Sequence, residues 1–407
     1  MNKRSVEFQL LLACLRWPLT ETDRNRIISL LRVSFDSTRF LDLVNHHQVV
    51  PMVFRNLDDA ARRETPAELL SNLRDRARIA GKQSFRRVME TIRLTMELQR
   101  FDIEIRILKG VALSTHAFHD ATLQNSIDID LLVPIAQVFD AEKVLLQCGY
   151  RRIVPYARLT PRRIRWILNH AHHFVFAHSQ TRETVELHWG LTGNLYKHPA
   201  FIIEPASTTR LKVGSAEIPS LAPPDMFLHA CVHGAEHSWS RLKWLAQIAA
   251  MLRAMPVEEF NATAARASQF GIAAELSASL KLAEHYQLAA TPTPELVLES
   301  SRAVDRIVSR SLKAIDAGSG HSTSAIADFR DAWQAGSSFN YRRNLIERTI
   351  IREESWNIVD LPDPLFLGYA LLAPIAWFKH RNRKHNPRPI GGKRLVIGAG
   401  TTDLEHI

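Results

Sequence analysis

The chain has 407 residues and carries 52 Lys and Arg against 42 Asp and Glu, a formal net charge of +10. With 46% apolar residues, 16 Gly and 19 Pro, collagen-like, low-complexity and wholly disordered chains are excluded, and the length fits two or three domains. Cys14, Cys148 and Cys231 are far apart and form no CxxC pair, which argues against a disulfide framework or structural zinc and for a reducing cytoplasm.

The opening MNKRSVEFQLLLACLRW imitates a signal peptide, but its apolar stretch is short, is broken by Gln9 and Arg16, and lacks an A-x-A site. It reads as an amphipathic first helix. Thr20 to Asp23 resembles a capping box, and Ile27, Ile28, Leu30 and Leu31 then recur at helical spacing. A helix near Ser37 to Asn45 precedes the segment HHQVVPMVFRNL. A long helix follows Pro66, from Ala67 to about Gln99.

The period then changes. Ile103, Ile105 and Ile107 alternate with Glu104 and Arg106, predicting a strand that ends at Leu108-Lys109-Gly110. VALSTHAF forms a short helix, and Ile127 to Val133 a second strand. Ala136 to Cys148 reads as a helix closed by Gly149. Residues 173–178 and 184–189 read as a strand pair turning at Ser179 to Arg182. After Pro223-Pro224, Asp225 is placed to cap a helix, with further helices at Lys243 to Arg253, Val257 to Phe270 and Ile272 to Tyr286. Ala317 to Ser324 is a linker signal.

The longest apolar run, Leu365 to Phe378, has 14 residues and contains Pro374, too short to span a bilayer. It reads as a last core helix followed by a solvated, disordered tail from about Lys379. The alternative is an interfacial helix held peripherally at the inner membrane by the cations that follow it. The chain therefore divides into a helical N-terminal region (1–100), a small α/β core (101–220), a helical C-terminal domain (221–350) and an apolar helix with a basic tail (351–407). As a whole it is α+β.

The most informative residues are Asp128 and Asp130 in IDIDLL. Side chains at i and i+2 on a strand share a face, where two carboxylates repel unless a divalent cation sits between them. The flanking Ile127, Ile129, Leu131, Leu132 and Val133 would fix that strand. Upstream, Lys109-Gly110 precedes a helix whose N-terminus can face phosphate. Downstream, Glu186 in VELHW supplies a third carboxylate, to complete a metal site or accept a proton. His188 lies on the same face as Glu186, placed either to orient the site or to pack as a hydrogen-bonded core histidine.

His229, His233 and His237 are spaced four apart, and His233 to His237 fits the H-x-x-E-H pattern of a zinc peptidase with Glu236 as base. The match is local. Gly234 weakens the helix, and no downstream acidic ligand stands at a persuasive position, so zinc hydrolysis ranks below packing beside a cleft. Arg241 and Lys243 follow, placed either to contact a triphosphate or as solvated helix charges.

ILKGVALSTHAF, IDIDLLVP, VELHWGL and LHACVHGAEHSWSRLKWLAQIAAML together resemble the uncharacterised nucleotidyltransferase-like family of bacteria, within the DNA polymerase β-type superfamily. The resemblance runs from about residue 40 to 380 and takes in HHQVVPMVFRNL and LPDPLFLGYALLAP. It implies a mixed β-sheet core with helices between N- and C-terminal helical regions. It implies Asp128, Asp130 and Glu186 as the catalytic, metal-binding carboxylates for Mg²⁺ or Mn²⁺. Lys109, Gly110 and Ser126, with Arg241 and Lys243, are the nucleotide-binding candidates. Two positions depart from the family's pattern. Gln124 stands where an Arg is common, and Gln247 where an Asp is common.

The expected activity is transfer of an NMP group from a nucleoside triphosphate to a small molecule, glycan precursor or protein, with pyrophosphate released. Nucleic acid is a less favoured acceptor, since no RRM, KH or zinc-finger signature is present. The alternative is a nucleotide-binding or scaffold protein of the same fold, its site weakened at Gln124 and Gln247. Two blocks account for the positive charge: residues 151–165 hold six Arg and no acid, and residues 379–394 hold seven Lys or Arg and no acid. The first is placed to steer an anionic substrate.

Overall fold

A computed structural model describes residues 4–124, 126–201, 208–292, 301–316, 325–336 and 338–374. The predicted linker and basic tail lie outside these residues. The chain divides into a larger unit, Met1–Arg151, His173–Gly193 and His198–His321, and a smaller one, Arg152–His172, Asn194–Lys197 and Ser322–Ile407.

The N-terminal helices are α1 (Val6–Ala13), α2 (Glu21–Leu31), α3 (Ser37–His46), α4 (Val50–Ala61) and α5 (Ala67–Arg100). The capping box of α2 forms as expected. Thr20 Oγ1 accepts from the Asp23 N–H, and the Asp23 carboxylate accepts from the Thr20 N–H. The first helix differs from expectation. Glu7, Phe8, Leu10, Leu11, Leu12 and Ala13 are all buried, so α1 is covered on nearly every side rather than amphipathic.

The sheet region continues with β1 (Arg106–Ile107), α6 (Val111–Phe118), β2 (Ile129–Leu132), α7 (Val138–Gln147) and β3 (Tyr150–Val154). After α8 (Pro161–His170) come β4 (His173–His178), β5 (Thr184–His188), β6 (Thr208–Val213) and β7 (Ala216–Leu221). The seven strands form one mixed sheet in the order β3-β4-β5-β2-β1-β7-β6. β2 runs parallel to β5 and antiparallel to β1, while β1 runs parallel to β7. Every residue of β2 is buried. Ile127 is 62% exposed and lies before the strand, so the anchoring falls to Ile129, Leu131, Leu132 and Val133.

Three strands escaped the sequence pattern. β6 and β7 form a hairpin whose turn includes Gly214 at φ +62°, a left-handed conformation that favours glycine. Along β6, Thr209, Leu211 and Val213 alternate with the exposed Arg210 and Lys212, but only Val213 is fully buried. β3 carries Arg151 and Arg152 in its middle, which masks it similarly.

The larger unit continues with α9 (Pro223–Glu236), α10 (Leu242–Ala254), α11 (Val257–Gln269), α12 (Ala273–His285) and α13 (Arg302–Asp316). Asp225 does not cap α9. It lies buried in the first turn, and Arg266 Nη2 on α11 approaches it at 2.7 Å. α10 packs on both α6 and α9, so the helical half of this unit backs directly onto the loop that follows β1.

The smaller unit holds α8, α14 (Ala325–Ala335), α15 (Phe339–Ile350) and 3-10 turns at Glu353–Asn357 and Asp363–Gly368. Its centre is Arg163, fully buried within the first arginine block. The guanidinium donates to the Arg158 carbonyl at 2.8 Å, to Asp360 at 2.6 Å and to the Tyr369 hydroxyl. It also lies over the Trp356 and Tyr369 rings. The Asp363 carboxylate accepts from the Arg162 N–H at 3.1 Å and from the Thr160 hydroxyl, closing the N-terminus of α8. The LPDPLFLGY segment is thus wrapped around an arginine. At least this member of the block is an internal residue rather than a free charge.

Among the described residues no helix is long and apolar enough to cross a membrane.

Candidate active site

The register of two parallel strands assembles the acids. Asp130 on β2 lies directly beside Glu186 on β5, and Leu132 beside His188. With a period of two, Glu186 and His188 emerge on the same face as Asp130. His188 Nε2 sits 3.1 Å from Asp130 Oδ1 and 3.2 Å from Glu186 Oε2. Lys109, from the loop after β1, reaches the same place: its Nζ is 2.8 Å from Asp130 Oδ1 and 3.9 Å from Glu186 Oε2. Asp130 is 2% exposed and His188 4%, so these charges interact through little water.

Asp128 lies one residue before β2, where Ser126 holds it. The Ser126 hydroxyl donates to the Asp128 carbonyl at 2.8 Å and lies 3.1 Å from its Oδ1. Gly110 is required at this turn. Its φ is +54°, and a Cβ there would meet Ser126 Oγ at 3.3 Å. α6 then begins without a side-chain cap, the arrangement that suits an anion.

The electrostatics follow from this crowding. Burial and the neighbouring Asp130 push the Asp128 carboxyl up to about 6, against the pull of Lys109. Burial works to raise Asp130, but Lys109 and the His188 hydrogen bond hold it below the usual carboxylate range. Glu186 is likewise held low against its burial, by His188 and Lys109. Burial works to lower the Lys109 ammonium, yet the carboxylates of Asp130, Glu186 and Asp128 raise it above an ordinary lysine. The same two hydrogen bonds raise His188 despite its burial.

Arg241 and Lys243 flank the start of α10, and a loop grips them through three consecutive residues. Arg241 Nη1 lies 2.8 Å from His46 Nε2, the Leu242 N–H donates to His47 Nδ1 at 3.3 Å, and Lys243 Nζ donates to Gln48 Oε1. Burial keeps His46 near 4 and His47 near 3, so both rings are neutral and able to accept. This clasp is the physical role of the HHQ segment. Lys243 still feels Asp128 and Asp130, whereas burial brings its ammonium down to about 8. Arg241 is committed to His46 in this arrangement.

The remaining sequence candidates pack near the acids: His229, His233 and His237 all feel Lys109, and burial keeps each ring below its ordinary value. Gln247 donates its side-chain amide to the Gln124 side-chain carbonyl, so the two departures from the family pattern lie against each other. His233 packs against His237 and Trp244, and Glu236 accepts from the Gly193 N–H at 3.2 Å. Among the described residues, the ligand sets close enough to hold a metal ion include Asp130 and Glu186 but not Asp128, and none of His229, His233, Glu236 or His237. Gly234 has a packing reason: a Cβ there would fall 2.4 Å from the Trp239 ring.

One sequence model matches this arrangement, that of the uncharacterised nucleotidyltransferases, over residues 34–287. The chain belongs to the uncharacterised nucleotidyltransferase family. The mixed sheet with flanking helices is the fold the resemblance implied. A comparison with curated proteins finds no match. Sequence reasoning missed one charge in this nucleotidyltransferase, Arg87 on α5. It is 3.3 Å from Glu183, and its guanidinium feels Asp128. Its only sequence signal was an arginine on a long helix that follows no apolar gap.

Proposed function

We propose that the chain transfers an NMP group from a nucleoside triphosphate to an acceptor at Asp128, Asp130 and Glu186, with release of pyrophosphate. The observation that carries this reading is the cross-strand pairing of Asp130 with Glu186 beside Lys109 and a glycine turn. The donors fit a hard divalent cation. Asp130 and Glu186 offer carboxylate oxygens within reach of one ion, and Asp128, outside that set, feels both carboxylates and is pushed up to about 6 by burial and Asp130. Asp128, Asp130 and Glu186 would hold Mg²⁺ or Mn²⁺, which supplies Lewis-acid polarisation of the phosphate and neutralises the leaving group.

The chain's own residues perform the rest. Gly110 lets the backbone approach the phosphates, and the start of α6 offers its N–H groups and dipole. Lys109 and Lys243 bring two ammonium groups towards the acids, which suits charge neutralisation at the transferring phosphate. Glu186 is held ionised by His188 and Lys109, which suits it to bind and position more than to take a proton. The alternative is a nucleotide-binding or scaffold protein of the same fold, its site weakened at Gln124 and Gln247, whose side chains contact each other.

The test is transfer of α-labelled phosphate from each of the four triphosphates, with fractionated extract as acceptor source. Wild-type protein should label an acceptor and release pyrophosphate, and Asp130→Asn should lower this by about 10²-fold or more. Equal labelling by the variant would remove the assignment.

A further inference from the structure

We propose that His188 is itself a metal ligand, so that the site selects a nitrogen-tolerant transition cation such as Mn²⁺ over Mg²⁺. This rests on the proposed metal-dependent transfer and specifies which cation the chain is built for.

Asp130 Oδ1, Glu186 Oε2 and His188 Nε2 form a set whose atoms all lie within 4.8 Å of one another. The imidazole nitrogen is 3.1 Å from one carboxylate oxygen and 3.2 Å from the other. Ligands bound about 2.1 Å from one first-row ion are about 3.0 Å apart at right angles and about 3.4 Å apart in a tetrahedron. The two observed separations fall within that range. A single N–H directed at two carboxylates serves each poorly, whereas one cation at the centre would serve all three donors.

The fold holds this geometry firmly. Asp130 and His188 are buried, and His188 occupies the last position of β5, with Leu132 beside it on β2 and His173 on β4. Mg²⁺ takes oxygen ligands and keeps several waters, whereas manganese is held by histidine together with glutamate in carboxylate-bridged helical-bundle sites. Lys109 Nζ, 2.8 Å from Asp130, then acts as the positive charge that the cation meets on entry.

The experiment uses the full chain loaded with Mn²⁺ and reads nitrogen coupling by pulsed paramagnetic resonance. Wild-type protein should show ¹⁴N coupling that changes to a ¹⁵N pattern when histidine is isotopically labelled. His188→Gln should lose it, and His173→Gln should retain it. Calorimetry should find Mn²⁺ bound at least about tenfold more tightly than Mg²⁺, a preference that shrinks in His188→Gln. The labelled wild-type spectrum needs no variant, so it decides even if a substitution disturbs folding. Bound Mn²⁺ without nitrogen coupling, or coupling lost only in His173→Gln, overturns the role of His188 and leaves metal-dependent transfer standing. Failure of wild-type protein to bind either cation overturns both.

Discussion

Asp130 accepts from Lys109 and His188 at once, and this makes the lysine's two roles separable. Lys109 competes with any cation for the carboxylates, yet it supplies positive charge for a triphosphate. Lys109→Met should therefore tighten divalent-cation binding and weaken nucleotide binding, two changes of opposite sign that titration calorimetry reads separately. Lys243 gives a pH dependence. Burial brings its ammonium down to about 8, so the charge is present below that value and lost above it. Nucleotide affinity should fall as pH rises through about 8, and Lys243→Arg should flatten that fall. Gly234→Ala should cost about 1–3 kcal/mol by chemical denaturation, because its Cβ would overlap the buried Trp239 ring. At this scale the acidic pair stood out in the sequence, although only Asp130 lies on β2 and Asp128 precedes it. The partners of Arg241 and Lys243 did not, since they lie 195 residues away in sequence.

The elements of the site are short and depend on their connections. β1 has only two residues, although Ile103, Ile105 and Ile107 are all buried as the alternation required. The strand pattern placed the three isoleucines correctly, but Arg106 is buried as well and the ladder is shorter than the alternation. β6 carries a weak alternation, Thr209, Leu211 and Val213, in which only Val213 is fully buried, and hairpin pairing with β7 holds it. α8 illustrates the same limit. Its arginines read as a charge block, yet Arg163 is buried and Asp363 closes the helix N-terminus. Asp363→Ala should lower stability by about 1 kcal/mol, measured in urea, through loss of that cap. Arg163→Ala should cost more, about 3 kcal/mol or above, because Asp360 and two aromatic rings lose their partner.

For the molecule as a whole, composition marked a globular chain and the acidic strand pointed to the proposed site. A net charge of +10 described an average, while the proposed site gathers a few cations at fixed positions, Lys109 and Lys243 beside the acids. The fold class was readable because helical and strand periods alternate clearly through residues 20–286. The sheet order was not, because adjacency of β1 to β7 and of β2 to β5 joins strands distant in sequence. The central claim is that the carboxylates hold a cation that in turn holds the nucleotide. Calorimetry with a non-hydrolysable triphosphate tests it without knowledge of the acceptor. Wild-type protein should bind only with Mn²⁺ or Mg²⁺ present, and Asp128→Asn combined with Asp130→Asn should weaken binding by about 10²-fold or more. Equal affinity with and without the cation, or in the double variant, would contradict it.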